Sequence, residues 1–428
     1  MRLAVVVQRY GADINGGAEL HARYVAEHLA RHAEVEVFTT CARDYVTWAN
    51  ELPAGAETQG GVLVRRFPVA APRDVFDFAR RSTQVFTRVH SLRDELLWLD
   101  SEGPTSPALI QALTAEQARF DWIVVFSYRY HHAFHAVRAL APKVVLVPTA
   151  ERDAAVGLSI FGPIFRGVRA LMFNSHEERA MLEAAAGRAL PGVVVGIGSD
   201  VPEQPQPDRF RRTHGITGPF AIYVGRIDEN KGCKELFEFF QRFERAMPGQ
   251  LQLVLIGTSI LPIPASARIR HLGFLPDQDK FDAMAAAEVL IMPSYYESLS
   301  MVALEAWALG KPVLANGRCD VLKGQCLRSN AGLFYETYAE FAETLYAITS
   351  GPSLSDTLGR NGRAYFRKHY AWPVIERKYL ETFDRLAKTP REDVPALEPL
   401  PGFLTRRRRT LPPAENALAA IPAGAVRP

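Results

Sequence analysis

The amino-acid sequence predicts an α/β protein of two doubly wound domains that face each other across a central cleft. Three observations carry this prediction. Short Val/Ile/Leu-rich runs recur between amphipathic segments, the alternation breaks once between Pro202 and Pro219, and the chemically interesting residues sit where an apolar run gives way to a helical pattern. Near-continuous apolar runs alternating with helical patterns mark parallel strands covered by helices on both faces. Such sheets bind ligands at the carboxyl ends of their strands.

In chain order, strands are expected at 3–7, 35–39, 62–67, 122–126, 144–147, 170–173 and 193–195, with a helix from about Ala18 to Ala30 after the first. Pro202, Pro205, Pro207 and Gly215 then interrupt the pattern, which reads as a linker. The alternation resumes with strands at 220–224, 251–256, 269–272, 289–292, 313–315 and 332–335, and helices over 234–243, 279–287 and 300–309. The domains are therefore 1–200, 220–370 and a linker at 201–219, followed by a segment 371–388 and a tail 389–428. Eight of the 29 prolines and the run Arg406 to Arg409 fall in that tail, so it is expected to be disordered. Its four adjacent cations suit a solvated tail or a peripheral contact with anionic lipid.

Composition removes several functions. The chain has 428 residues with 50 Lys and Arg against 47 Asp and Glu, too balanced for dedicated nucleic-acid binding. Four dispersed cysteines without a C-x-x-C pair argue against a disulfide framework or zinc ribbon and fit a cytoplasmic location. No signal peptide or 18-residue apolar stretch is evident. Walker-type, H-E-x-x-H and G-x-S-x-G signatures are absent.

Three junctions remain. Gly11 to Glu19 contains Gly16, Gly17 and Glu19, where paired glycines admit close backbone approach and a helix N-terminus offers N–H groups to a phosphate or sugar. In Tyr223 to Gly232, Arg226 and Lys231 bracket a turn beside Gly225, an arrangement suited to a diphosphate. In Met292 to Ala306, Ser298, Leu299 and Ser300 lead into a helix whose N-terminus can hold a phosphate. Glu297 and Glu305 would lie roughly 12 Å apart if that helix covered the interval. This exceeds the about 5–9.5 Å of carboxylates flanking one glycosidic bond, so the two should grip different parts of one long ligand. Tyr128 to His132 follows another strand, and His131 and His132 are candidates for acting on an acceptor hydroxyl, or buried structural residues.

The Gly225-Arg226 and Lys231-Gly232 pairs, the Pro293-Ser294-x-x-Glu297 turn, the Glu297/Glu305 pair and Gly310-Lys311-Pro312-Val313 resemble the donor-binding domain of glycosyltransferase family 4. Gly16-Gly17-Ala18-Glu19 resembles the glycine-rich loop of that family's N-terminal domain, and the likeness covers roughly residues 1 to 388. The resemblance implies the two-Rossmann GT-B architecture and a retaining transferase. By it, Arg226 and Lys231 would bind the donor diphosphate, Glu305 the ribose hydroxyls and Glu297 a sugar hydroxyl. It also implies that a helix from about Trp372 returns to the first domain.

Two departures stand out. Many members carry Glu-Gly-Phe-Gly where this chain has Glu297-Ser298-Leu299-Ser300, and many place a histidine where it has Pro148-Thr149-Ala150-Glu151-Arg152-Asp153. Glu151 or Asp153 is the candidate to stand beside the reacting sugar; the alternative is that Glu151 merely pairs with Arg152. The expected activity is hexose transfer from a nucleoside diphosphate sugar to a sugar, lipid-linked or small-molecule acceptor, without a metal or further cofactor. The rivals are a non-catalytic sugar-nucleotide or glycan-binding protein and an epimerase or hydrolase on the same fold.

Overall fold

The computed structural model describes residues 1–14, 16–389, 397 and 419. The basic run and most of the proline-rich tail lie outside the described residues.

The N-terminal sheet comprises β1 (Arg2–Val6), β2 (Glu34–Thr40), β3 (Gly55–Gln59), β4 (Val62–Phe67), β5 (Trp122–Phe126), β6 (Val144–Val147), β7 (Ala170–Phe173) and β8 (Gly192–Val194). Its order is β3-β4-β2-β1-β5-β6-β7-β8. Only β3 runs antiparallel. This strand has no sequence signal, because its GAETQ stretch is exposed at the sheet edge and carries no apolar run. Central strands such as β5 are buried on both faces, which is why they read as unbroken hydrophobic runs. The helices of this half are α1 (Gly17–Leu29), α2 (Val75–Thr87), α3 (Leu92–Glu102), α4 (Pro107–Glu116), α5 (His131–Leu140), α6 (Phe161–Gly167) and α7 (His176–Ala186).

The stretch expected to be a plain linker contains α8 (Pro207–His214). The prolines and glycine that suggested a break instead punctuate this helix: Pro207 occupies its first turn and Gly215 ends it in the left-handed conformation. Phe210 anchors it in the core.

The second sheet is wholly parallel, with β9 (Phe220–Val224), β10 (Gln252–Ile256), β11 (Ile269–His271), β12 (Val289–Met292), β13 (Val313–Asn316) and β14 (Gly332–Tyr335) in the order β11-β10-β9-β12-β13-β14. Its helices are α9 (Cys233–Ala246), α10 (Asp277–Ala286), α11 (Met301–Ala308), α12 (Asp320–Ser329), α13 (Tyr338–Ser350) and α14 (Pro352–His369). Strand order reverses at β1/β5 and at β9/β12, and the loops leaving β1, β9 and β12 carry the three glycine- or charge-rich motifs. Both sheets thus present their switch points, the usual ligand crevices of doubly wound domains, to the cleft.

A last helix, α15 (Trp372–Lys388), packs on the N-terminal half. Trp372 stacks on His28 with ring centroids 3.6 Å apart, Phe383 stacks on Trp122, and Glu376 meets His28 Nδ1 at 2.8 Å. Its buried face, Trp372, Ile375, Tyr379 and Phe383, completes one apolar core together with Leu3, Val5 and Val25. No helix of the described residues is long and apolar enough to cross a membrane.

Candidate active site

The loop after β9 is shaped by what its glycines permit. A Cβ on Gly232 would lie 2.0 Å from the Pro293 carbonyl oxygen, and Gly232 has φ +72°, so only glycine lets this loop lie against the end of β12. Asp228, buried, organises the two cations. Its carboxylate accepts from the Lys231 backbone N–H (2.7 Å) and pairs with Arg226. Arg226 then reaches across the cleft, donating from Nη1 to Tyr45 Oη (2.8 Å). Lys231 Nζ donates to Glu297 Oε1 at 2.9 Å and lies 3.9 Å from Glu151 Oε1 of the opposite domain. Burial opposes the lysine's charge, but the two carboxylates more than offset it and raise its pKa.

Beyond β12, Asn316 Nδ2 donates to the Pro293 carbonyl (3.0 Å) and fixes the turn that carries Glu297. Ser300 is the N-cap of α11, its Oγ accepting from the Ala303 N–H at 3.2 Å, while Leu299 is buried and Ser298 Oγ accepts from Asn174 Nδ2 of the first domain (3.4 Å). Because α11 starts only at Met301, the helical interval between Glu297 and Glu305 is shorter than expected, and Glu297 belongs to the approach loop. Glu305 is 2% exposed. Its Oε1 accepts from Ser199 Oγ and Lys280 Nζ, both at 3.1 Å, whereas its buried Oε2 has no hydrogen-bond partner. Burial raises this carboxyl's pKa and Lys280 opposes the rise. An unpartnered buried acceptor is costly unless a ligand donor meets it.

The N-terminal wall separates the candidates. Glu151 keeps 43% of its side chain accessible. The surrounding cleft nevertheless desolvates it and, with repulsion from Glu297 and Asp153, pushes it up to about 7 against the pull of Lys231. The alternative partner, Arg152, is engaged elsewhere: it pairs with Asp320 across the cleft at 3.0 Å. Asp153 is fully engaged, accepting from the Ala155 and Val156 N–H groups, from Tyr128 Oη (3.2 Å) and from Arg129 Nη1 (2.6 Å). It builds the wall rather than standing free beside a sugar.

His131 and His132, read from the sequence either as acting on an acceptor hydroxyl or as buried structural residues, open α5. Both are buried, and His132 Nε2 bonds to the Phe126 carbonyl at 2.9 Å. Burial pushes His131 down to about 2 and His132 to about 4, so neither is a cation near neutrality. In the glycine-rich loop Glu19 is bound to Arg9 (2.6 Å) and its carboxylate would lie 2.0 Å from any Cβ on Gly16. Gly17 has open space where a Cβ would be, and among the described residues no side chain caps the N-terminus of α1.

Members of the site that escaped the sequence reading include Asp228, Tyr45, Lys280 and Glu178. Glu178 is buried on α7, and its two oxygens accept from the Ala150 N–H (2.6 Å) and the Asn174 N–H (2.5 Å), tying the Glu151 loop to the Asn174–Ser298 contact. Asp228 lay inside a motif already singled out; the other three are brought in by topology alone. The expectation of a metal-free site also passed over the Asp277-Gln278-Asp279 spacing. Those acids lie in the first turn of α10, where Asp279 pairs with Arg209 and Asp277 stands 3.3 Å from Lys280.

Residues 206–365 match the family model described as Glycosyl transferases group 1. The chain is 26% identical to D-inositol 3-phosphate glycosyltransferase of Nocardia farcinica, over 71% of this chain and 70% of that protein. It is 25% identical to glycogen synthase of Mycobacterium tuberculosis, over 93% of this chain and 98% of that protein. Among solved structures, sucrose-phosphate synthase of Thermosynechococcus elongatus is similar at TM-score 0.66 and 19% identity, covering 90% of this chain and 99% of that one. HepE of Anabaena in complex with UDP-glucose is similar at TM-score 0.65 and 18% identity, covering 90% and 100%. At such identities the likeness fixes the fold, two Rossmann-like domains in the GT-B arrangement.

Proposed function

We propose that the protein is a nucleotide-sugar-dependent glycosyltransferase that moves a hexose from a nucleoside diphosphate donor to an acceptor hydroxyl with retention of configuration. Two observations carry the reading: Lys231 between two carboxylates at one end of α11, and the unpartnered Glu305 Oε2 on that helix. A cation for the diphosphate, an acceptor for ribose hydroxyls and a helix N-terminus between them match the parts of one elongated donor. The match of residues 206–365 to the group 1 transferase model and the UDP-glucose complex of HepE support a nucleoside diphosphate hexose as donor.

In this reading Arg226, Lys231 and the α11 N-terminus stabilise charge developing on the leaving diphosphate, so the residues themselves supply the electrostatic role a metal would otherwise take. Glu297 accepts from a hydroxyl of the donor sugar. Glu151, in the place of the family's usual histidine, stabilises positive charge at the anomeric carbon. Retention rests on the family resemblance. Incubating the protein with a panel of nucleotide sugars and acceptors, and following nucleoside diphosphate release and product, tests the reading. Tight nucleotide-sugar binding without turnover would favour the non-catalytic binder to which the missing histidine points. Arg226→Ala and Lys231→Ala should each weaken diphosphate binding by about 1.5–3 kcal/mol, with free nucleoside unaffected, as calorimetry would read.

A further inference from the structure

The geometry points to a transition-metal site formed by Asp100, His131 and His135 in the N-terminal domain, distinct from the donor cleft and taking a divalent ion of the zinc or cobalt class. One nitrogen from each imidazole and one carboxylate oxygen of Asp100 lie within 4.8 Å of one another. The two histidines are four residues apart at the start of α5, which places them on one helix face, and their ring centroids are 4.2 Å apart. Asp100 comes from the last turn of α3 and remains exposed, leaving an entry path from solvent.

An independent observation concerns His131. It is 6% exposed, and its buried Nδ1 has no hydrogen-bond partner. Such an orphan costs free energy unless something meets it. Among the described residues no hydrogen bond or ion pair joins the Asp100 carboxylate to either ring, so the three groups are gathered without satisfying one another.

The donor set selects the ion. Two nitrogens and one oxygen suit zinc, cobalt or nickel rather than magnesium or calcium, which take oxygen ligands. With metal–ligand bonds of about 2.0–2.2 Å, tetrahedral ligands stand roughly 3.4 Å apart, which lies inside the 4.8 Å limit within which these atoms are gathered. A water would complete the fourth position. Bound metal would staple α3 to α5 where the His131 N–H already bonds to the Gly103 carbonyl, two residues beyond Arg129, which braces Asp153 in the cleft wall.

Chelator-treated full-length protein titrated with zinc chloride by calorimetry, and with cobalt(II) by visible absorption, tests this. The expected result is one equivalent bound, four-coordinate cobalt bands, and a metal-dependent rise in the thermal midpoint. Because His131 is buried, the variants to use are His135→Ala and Asp100→Asn, checked for folding by circular dichroism. Each should weaken the metal at least tenfold and remove the rise in midpoint. Absence of saturable binding, or binding equally tight in both folded variants, overturns the proposal. Nucleoside diphosphate release plays no part in this readout.

Discussion

Burial in the cleft, foremost, and repulsion from Glu297 and Asp153 push the Glu151 carboxyl up to about 7 against the pull of Lys231. If its carboxylate stabilises an oxocarbenium-like transition state, kcat/KM should rise with pH through about 7, and Glu151→Gln should flatten that limb. The same variant should lower turnover at least about tenfold, ~1.4 kcal/mol of barrier, with little change in donor affinity. Normal turnover in steady-state kinetics would remove Glu151 from the chemistry. The stability consequence has the opposite sign to that of an ordinary salt-bridged acid. The folded state binds this proton more tightly than the unfolded chain, so the contribution is full below about 4.5 and is lost as pH rises through about 7. Glu178, pushed up to about 8 by complete burial against two opposing backbone hydrogen bonds, behaves likewise over a wider window. Glu178→Gln turns one acceptor into a donor facing a backbone N–H, and denaturant unfolding should show a loss of about 1–3 kcal/mol.

At the scale of elements, the proposed function has α11 and the loop that enters it divide one ligand between two acids. Removing Glu305 should weaken nucleotide binding even without a sugar attached, because its open Oε2 is on the buried side of α11 beside Ser199 and Lys280. Removing Glu297 should spare nucleotide affinity and reduce turnover. Equal losses of nucleotide affinity in Glu297→Gln and Glu305→Gln, measured by calorimetry, would contradict the division. These elements were also the most legible in the sequence. The strand over Val289–Met292 and the serine-capped helix after it are local events, written in an apolar run and an N-cap. The edge strand β3 was illegible because an exposed strand needs no apolar residues, and α8 was hidden because proline and glycine mark both breaks and helix ends. The site divides the same way. Arg226, Lys231, Glu297 and Glu305 sit in short motifs, whereas the pairing of Lys231 with Glu151, 80 residues earlier, and of Glu305 with Ser199 exists only once the two domains meet.

At the scale of the molecule, polar contacts cross the cleft, and the apolar face of α15 packs on the first domain. The polar ones include Arg226 with Tyr45, Arg152 with Asp320, Asn174 with Ser298 and Arg328 with Glu177. The exposed pair of Arg152 with Asp320 contributes little, typically under about 1 kcal/mol, so it sets the register of the domains more than it holds them together. Trp372 is different, being stacked on His28 and packed edge-on against Tyr24. Trp372→Ala should cost about 3–5 kcal/mol in denaturant unfolding, and the loss should fall on the N-terminal domain although the residue follows the C-terminal one. A loss confined to the unfolding of residues 207–369 would refute this.

That return of the chain bears on how the protein is made. Domains on a growing polypeptide fold largely in the order in which they leave the ribosome. Here the first domain emerges early, yet the apolar surface around His28, Trp122 and Leu3 waits for Trp372, Tyr379 and Phe383, which are synthesised after the whole second domain. A nascent chain stalled before residue 372 would carry an uncovered hydrophobic face on an otherwise folded domain, a natural landing place for a chaperone and the stretch on which premature termination would be punished by aggregation.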